Sequence, residues 1–236
     1  MSLYLDREIA KLKQNLLALC TTVEERVDTA VRALEARDAR LARAVIQGDD
    51  AVDVAEVDVE EECLKTLALY QPVAGDLRLI IAFLKINNDL ERIGDLAVHI
   101  AERALDYAER PGLAMPFNFR DMAAKVRAML KRSIDSVVNL DATIALQVLK
   151  ADDEVDEMHR TMYNAVTRAA GDRPQELPAL LDALSVSRYL ERIADHATNI
   201  AEDAIYMLEG DIIRHRGGRP AAAAAATTTP KPGRAP

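Results

Sequence analysis

An internal repeat is the feature of this sequence that most limits how the chain can fold. The string LERIGDLAVHIAE at 90–102 returns as LERIADHATNIAE at 190–202, and nine of the sixteen residues in 87–102 are identical to their counterparts 100 positions later. Self-similarity on this scale indicates that one supersecondary unit has been duplicated. We therefore expect two homologous units, which span residues 1–110 and 116–210.

Each unit is predicted to contain three helices. Apolar residues recur every three or four positions over 3–36, which is the pattern of a long amphipathic helix. Asp38 is a suitable N-cap for a second helix that runs to Tyr70 with a break at Gly48, and a third helix follows Pro72. Only 4% of the residues are aromatic, a composition that favours packed helices over sheets. The sequence therefore predicts an all-α fold of two homologous three-helix bundles in tandem.

The middle part of the unit repeats with an offset of 103 residues, which places Asp38 over Asp141. The last helices of the two units repeat with an offset of 100 residues. The difference of three residues between the two offsets fits a shorter connection near 171–178. Beyond the second unit, the segment 211–236 is rich in alanine, threonine and proline. We expect this low-complexity segment to be a disordered tail.

Each unit also carries acidic residues four positions apart on one helix face. Residues at this spacing point in nearly the same direction, so Glu91 lies beside Asp95 and Glu191 beside Asp195. On each helix, the residues spaced four apart form a row that includes the acidic pair, and neither row contains a lysine or arginine. Like charges at this spacing cost ~0.2–0.5 kcal/mol per pair, so the rows are destabilising unless a cation is present. The preceding helix of each unit has a second acidic pair, which antiparallel packing would bring close to the first. These pairs are Asp49 with Asp53 and Asp152 with Asp156.

Converging carboxylates need a cation, and oxygen donors favour hard or borderline metal ions. We expect divalent or trivalent ions, with magnesium, manganese, iron and zinc as the candidates. His99 and Asn199 take the next position in the two rows and are candidate additional ligands. The alternative is an ordinary solvated face, since the acidic pairs lie off the apolar stripe and Arg92 and Arg192 could each pair with the aspartate three residues later.

The charge and the cysteines exclude several classes of protein. The formal charge is −9, and five of the basic residues lie in 211–236, so the body of the chain should repel nucleic acid. Cys20 and Cys63 form neither a disulfide framework nor a zinc motif, which favours a reducing cytoplasm. No uncharged stretch approaches the ~20 residues that span a bilayer, and no signal-peptide pattern begins the chain.

Two strings carry a resemblance to a known family. QPVAGDLRLIIAFLKINNDLERIGDLAVHIAE at 71–102 and SRYLERIADHATNIAED at 187–203 resemble the PhoU family of phosphate-uptake regulators. The similarity covers about residues 3–213. It implies tandem three-helix bundles whose E(D)xxxD motifs are associated with multinuclear metal binding on the bundle surface, and the four acidic pairs match these motifs.

The resemblance also implies a function. Members of the family are cytoplasmic accessory proteins, often dimers, that limit uptake through the high-affinity phosphate ABC transporter and keep its partner sensor histidine kinase inhibitory when phosphate is plentiful. On this basis we expect a regulator and no enzyme. Its partners would be the ATPase subunit of the transporter and the histidine kinase, and the residues that contact them are not indicated by the sequence.

Two enzymatic alternatives have weaker support in the sequence. A ferritin-like di-iron protein needs two Glu-x-x-His motifs, whereas this chain has Asp156-x-x-His159 once, with Asp53-x-x-Glu56 as its counterpart. A phosphotransfer bundle would use an exposed histidine. Of the candidates, His196 lacks a counterpart in the other unit and reads as an ordinary surface residue.

Overall fold

The computed structural model describes residues 3–109 and 118–210, and the regular structure in these ranges is entirely helical. This confirms the predicted all-α class. None of the helices in residues 3–109 and 118–210 combines the length and the apolar composition that a membrane-spanning segment needs. The first unit contains helices α1 to α4 and the second contains α5 to α7. Their bounds are α1 Leu3–Ala36, α2 Ala39–Gln47, α3 Asp49–Tyr70, α4 Ala74–Glu109, α5 Arg120–Asn139, α6 Ala142–Asp172 and α7 Leu177–Glu209.

The tail predicted at 211–236 lies outside the described residues. Within them, the helix ends follow local chemistry. The side chain of Asp38 accepts hydrogen bonds from two backbone amides in the first turn of α2, which confirms it as an N-cap, and its counterpart Asp141 caps α6 by accepting from one, the Thr143 amide. Gln71 caps the C-terminus of α3 and Leu140 that of α5, and both residues adopt the left-handed conformation, with φ of 45° and 53°.

The predicted break at Gly48 is confirmed, and it distinguishes the two units. The corresponding residue of the second unit is Ala151, which lies within the continuous helix α6. At the break, the guanidinium of Arg26 donates to the Val45 carbonyl at 2.7 Å and to Oδ1 of Asp49 at 2.8 Å. A Cβ atom at Gly48 would lie 2.8 Å from Nη1 of Arg26. Glycine therefore makes room for an arginine that caps the end of α2 and pairs with the start of α3.

The two units share one hydrophobic core. Helices α4 and α7, the last helices of the two units, pack against each other. Buried apolar residues from all seven helices form a continuous cluster. The hydroxyl of Tyr107 crosses the same interface and donates to the Ala179 carbonyl at 3.1 Å. The apolar stripe of each unit is thus buried partly against the other unit, and not only against its own helices as the repeat pattern alone would suggest.

Polar groups also lie in the interface between α4 and α7. The Lys85 ammonium is 3.1 Å from a carboxylate oxygen of Asp203, whose side chain is only 2% exposed. Nδ1 of His196 lies 2.7 Å from Oδ1 of Asp89, and both side chains are largely buried. The prediction that His196 is an ordinary surface residue is therefore wrong. It rested on the lack of a counterpart for His196 in the other unit, whereas the contact with Asp89 comes from the packing of α4 against α7.

The Gly48 site generates a stability prediction. Gly48→Ala should displace the Arg26 guanidinium and weaken a hydrogen bond to a charged group, with an expected loss of about 1–2 kcal/mol in the free energy of unfolding. Gly171→Ala is the matched control, because nothing lies within 4 Å of its added Cβ, and it should instead gain up to ~1 kcal/mol from helix propensity. Urea unfolding monitored by circular dichroism measures both. Equal effects in the two variants would contradict a specific role for Gly48.

Candidate metal centre

Each unit brings its two acidic pairs together on adjacent helices. In the first unit the pairs come from α3 and α4, and in the second from α6 and α7. The carboxylates of each set influence one another across the helix boundary. We call the two sets the first and second acidic face. The first acidic face is Asp49, Asp53, Glu91 and Asp95, and the second is Asp152, Asp156, Glu191 and Asp195.

The second acidic face has the tighter arrangement. Asp152, Asp156 and Asp195 each offer a carboxylate oxygen, and these oxygens all lie within 4.8 Å of one another. Oδ1 of Asp152 is buried and has no hydrogen-bond partner among the described residues. Leaving such an oxygen unpaired costs ~1–3 kcal/mol. These residues therefore have the donor atoms and the unpaired oxygen that suit a hard cation, and their role as ligands stays a prediction.

The electrostatics of the second acidic face also favour a cation. The pKa of Asp152 is raised to about 6, first by burial and then by the charges of Asp156 and Asp195, while a hydrogen bond to Thr198 opposes the rise. The pKa of Asp195 is likewise raised to about 6, first by burial and then by Glu191 and Asp156, although part of this side chain reaches solvent. Burial and the charge of Asp156 also raise the pKa of Glu191, against the opposing charges of Arg188 and Arg192. A positive charge at this place would relieve each of these penalties.

The first acidic face already contains positive charge. Burial raises the pKa of Asp49, and the Arg26 guanidinium opposes this rise from 2.8 Å. On the same face, Arg92 lies 3.4 Å from the Glu91 carboxylate and 3.9 Å from that of Asp95. The predicted pairing of Arg92 with Asp95 is therefore confirmed. The rows themselves hold no base, but α1 supplies Arg26 and the neighbouring position on α4 supplies Arg92.

One position beside each face was not among the predicted ligands. In the first unit, Glu56 accepts a hydrogen bond at 3.0 Å from the side-chain amide of Asn87. In the second, Nδ1 of His159 lies 2.9 Å from the Ser187 hydroxyl. Glu56 and His159 correspond under the offset of 103, and both follow the second aspartate of an acidic pair by three residues. That spacing is the sequence signal for them, since residues three apart share a helix face.

The two candidate additional ligands lie toward the interface between the units. The ring of His99 is exposed and stacks on Tyr189, with ring centroids 5.2 Å apart. The side-chain amide of Asn199 donates to Oδ1 of Asp89 at 3.1 Å. Both residues therefore contact the opposite unit. Their role as ligands stays a prediction.

The architecture and the acidic faces define a class of protein, the duplicated three-helix bundle with carboxylates shared between two helices of each copy. The PhoU domain model matches residues 16–104 and again residues 119–204 of this chain. The chain therefore belongs to the PhoU family.

Named relatives and solved structures agree with this assignment. The chain is 40% identical over 210 residues to the phosphate-specific transport system accessory protein PhoU homolog of Aquifex aeolicus, a match that covers 89% of this chain and 95% of the relative. The crystal structure of PhoU from Pseudomonas aeruginosa matches with a TM-score of 0.84 at 36% identity, and covers 87% of this chain and 99% of that one. The regulatory protein PhoU from Streptococcus pneumoniae, at 26% identity, gives a TM-score of 0.80 over 88% and 98% of the two chains.

The raised pKa values generate a prediction for the metal-free protein. An aspartate whose pKa rises from 3.8 to about 6 on folding makes the folded state less stable as pH increases between those values, and the full penalty applies above pH ~6. Asp195→Asn removes this penalty. At pH ~7.5 in EDTA the variant should be about 1 kcal/mol more stable than the wild type. This value is smaller than the full pKa shift would give, because solvent screens the exposed side chain. The gain should vanish near pH ~4.

Urea unfolding at several pH values measures this difference. Asp153→Asn is the matched control, because it removes an exposed carboxylate one residue from Asp152, and we expect it to change stability by less than about 0.5 kcal/mol. A stabilisation by Asp195→Asn that is independent of pH would contradict the electrostatic explanation.

Proposed function

We propose that this protein is a negative regulator of phosphate uptake and of phosphate-starvation signalling. It acts by direct contact with the ATPase subunit of the phosphate ABC transporter and with the sensor histidine kinase, and it holds metal ions on its acidic faces. The observation that carries the proposal is the match to the Aquifex aeolicus accessory protein over 95% of that relative's length. A match of this extent supports a shared role of the whole protein, since both units are included.

The acidic faces supply the metal-binding part of the proposal. Asp152, Asp156, Glu191 and Asp195 would hold the ion, and Asp152 would contribute its unpaired buried oxygen. Their all-oxygen donor set favours magnesium, manganese or iron over softer ions, with zinc as a further candidate. A bound cation would supply positive charge between α6 and α7. The carboxylates would then hold these two helices in a fixed relative position.

An exposed apolar surface supports a role in protein contacts. Val54, Val57 and Leu64 on α3 are 61%, 47% and 52% exposed, and their spacing places them on one helix face. The corresponding residues of the second unit are all polar, namely Glu157, Arg160 and Thr167. The first unit thus presents an apolar surface that the second lacks, as expected for contact with a partner protein.

The remaining parts of the proposal follow from the family. We propose a cytoplasmic protein that forms a homodimer and that has no catalytic activity of its own. The ferritin-like alternative has less support. The chain has a single Asp-x-x-His motif, whose His159 contacts the Ser187 hydroxyl. The equivalent residue of the first unit is Glu56, which accepts a hydrogen bond from Asn87. The two units therefore do not offer the pair of carboxylate and histidine motifs that a di-iron bundle uses.

Complementation tests the regulatory role. In a bacterium that lacks its own PhoU-family protein, expression of this chain should restore repression of a phosphate-starvation reporter, such as secreted alkaline phosphatase, in phosphate-rich medium. The variant Val54→Ser with Leu64→Ser should restore it less well, because it removes the apolar contact surface, whereas Glu157→Ser with Thr167→Ser at the matched positions of α6 should behave as wild type. Failure of the wild-type chain at normal expression would contradict the proposed regulation.

Thermal unfolding tests metal binding separately. Manganese chloride added to protein that has been stripped with EDTA should raise the melting temperature, because an ion that binds only the folded state stabilises it by mass action. Asp156→Asn with Asp195→Asn should abolish this rise, and Asp153→Asn should retain it. An equal rise in all three proteins would show that the ion acts elsewhere on the surface.

A further inference from the structure

We propose that the two acidic faces are not equivalent, and that the guanidinium of Arg26 occupies in the first unit the place that a metal ion takes in the second. This inference rests on the metal binding proposed above and deepens it. It predicts that the second acidic face holds the metal, while the first is completed by a cation that belongs to the protein itself.

The position of Arg26 is the first observation. This residue lies on α1, is 9% exposed, and reaches across the bundle to the junction of α2 and α3. Its guanidinium contacts Oδ1 of Asp49 at 2.8 Å and the Val45 carbonyl at 2.7 Å. An arginine stays protonated at any physiological pH. The carboxylate of Asp49 therefore has a permanent positive partner in the folded protein.

The corresponding position of the second unit is the second observation. Under the offset of 103, Arg26 corresponds to Met129 and Asp49 to Asp152. Met129 is 2% exposed, so this position is buried as well, but a thioether carries no charge and donates no hydrogen bond. In agreement with this, Oδ1 of Asp152 is buried without a partner among the described residues. The exposed Arg188 and Arg192 act on the second acidic face from the surface, but this face lacks the buried arginine that the first contains.

The third observation is that a neighbouring residue changes together with the arginine. Gly48 lies so close to Arg26 that a Cβ atom would be 2.8 Å from Nη1, whereas its counterpart is Ala151. The first unit thus combines arginine with a glycine that accommodates it. The second combines methionine with an alanine in an unbroken helix. Corresponding positions of the two units thus hold different sets of side chains, which are Arg26 with Gly48 and Met129 with Ala151.

Electrostatics explains why the first set disfavours a metal. A divalent ion at the first acidic face would have to bind Asp49 beside a guanidinium of like charge, or displace that guanidinium into an apolar surrounding. Repulsion between charges a few ångströms apart near a protein surface reduces affinity by at least ~100-fold. The second acidic face presents no buried cation of this kind in the described part of the chain. Manganese should therefore bind the second acidic face in preference to the first.

Matched double variants test the inference. Asp53→Asn with Asp95→Asn removes charge from the first acidic face, and Asp156→Asn with Asp195→Asn removes it from the corresponding positions of the second. Each protein is dialysed to equilibrium against micromolar manganese chloride, and bound metal is counted by elemental analysis. We expect the first variant to retain nearly all of the wild-type manganese and the second to lose most of it. Equal losses in the two variants would overturn the inference while leaving metal binding intact.

Exchanging the two sets provides an independent test. Met129→Arg with Ala151→Gly should reduce bound manganese at least tenfold, whereas Met129→Leu should leave it unchanged. Arg26→Met with Gly48→Ala should bind additional manganese at the first acidic face. Circular dichroism and urea unfolding show whether each variant is folded, and Met129→Leu controls for loss of packing.

The outcomes separate the two proposals. If Met129→Arg with Ala151→Gly folds and keeps all of its manganese, the guanidinium does not substitute for the ion and the inference is wrong. If neither the wild type nor any variant binds manganese above the level of Asp156→Asn with Asp195→Asn, the proposed metal binding fails as well, and both are overturned.

Discussion

Repulsion among carboxylates held between packed helices is the constraint on which the rest of this structure depends. The apolar stripes of α3 with α4 and of α6 with α7 bury these helices against a common core, and this packing brings four acidic side chains together in each unit. Burial and mutual repulsion then raise the pKa of Asp49, Glu91, Asp152 and Asp195. Hydrophobic packing thus creates an electrostatic penalty that each unit must offset with positive charge.

Because the unit is duplicated, the same repulsion among carboxylates arises at both acidic faces, and the two faces differ in the positive charge that lies nearby. Arg26 supplies charge to the first acidic face and at the same time caps the end of α2. The second acidic face has Met129 at the corresponding position, and in the proposed arrangement a metal ion would supply the positive charge there. In a regulator of the proposed kind, a face that is complete without an ion would give a constant scaffold, while a face that needs one would link the geometry of α6 and α7 to metal supply.

Much of the fold could be predicted from the sequence, because the repeat and the apolar periodicity are local signals. They predicted the long first helix, the Asp38 cap and the break at Gly48, and all three are confirmed. The site was less predictable. The acidic pairs lie at helical spacing, but Arg26 approaches Asp49 from another helix, 23 positions earlier in the chain, and His196 meets Asp89 across the two units. Contacts of this kind depend on tertiary packing, which periodicity within one helix does not specify.

Anomalous X-ray diffraction from crystals equilibrated with manganese chloride tests the central claim most directly, because it locates each ion instead of counting the total. The account predicts a strong anomalous peak among Asp152, Asp156 and Asp195, whose oxygens already lie within 4.8 Å of one another, and none beside Arg26. Peaks of equal height at both acidic faces, or a peak only at the first, would contradict it.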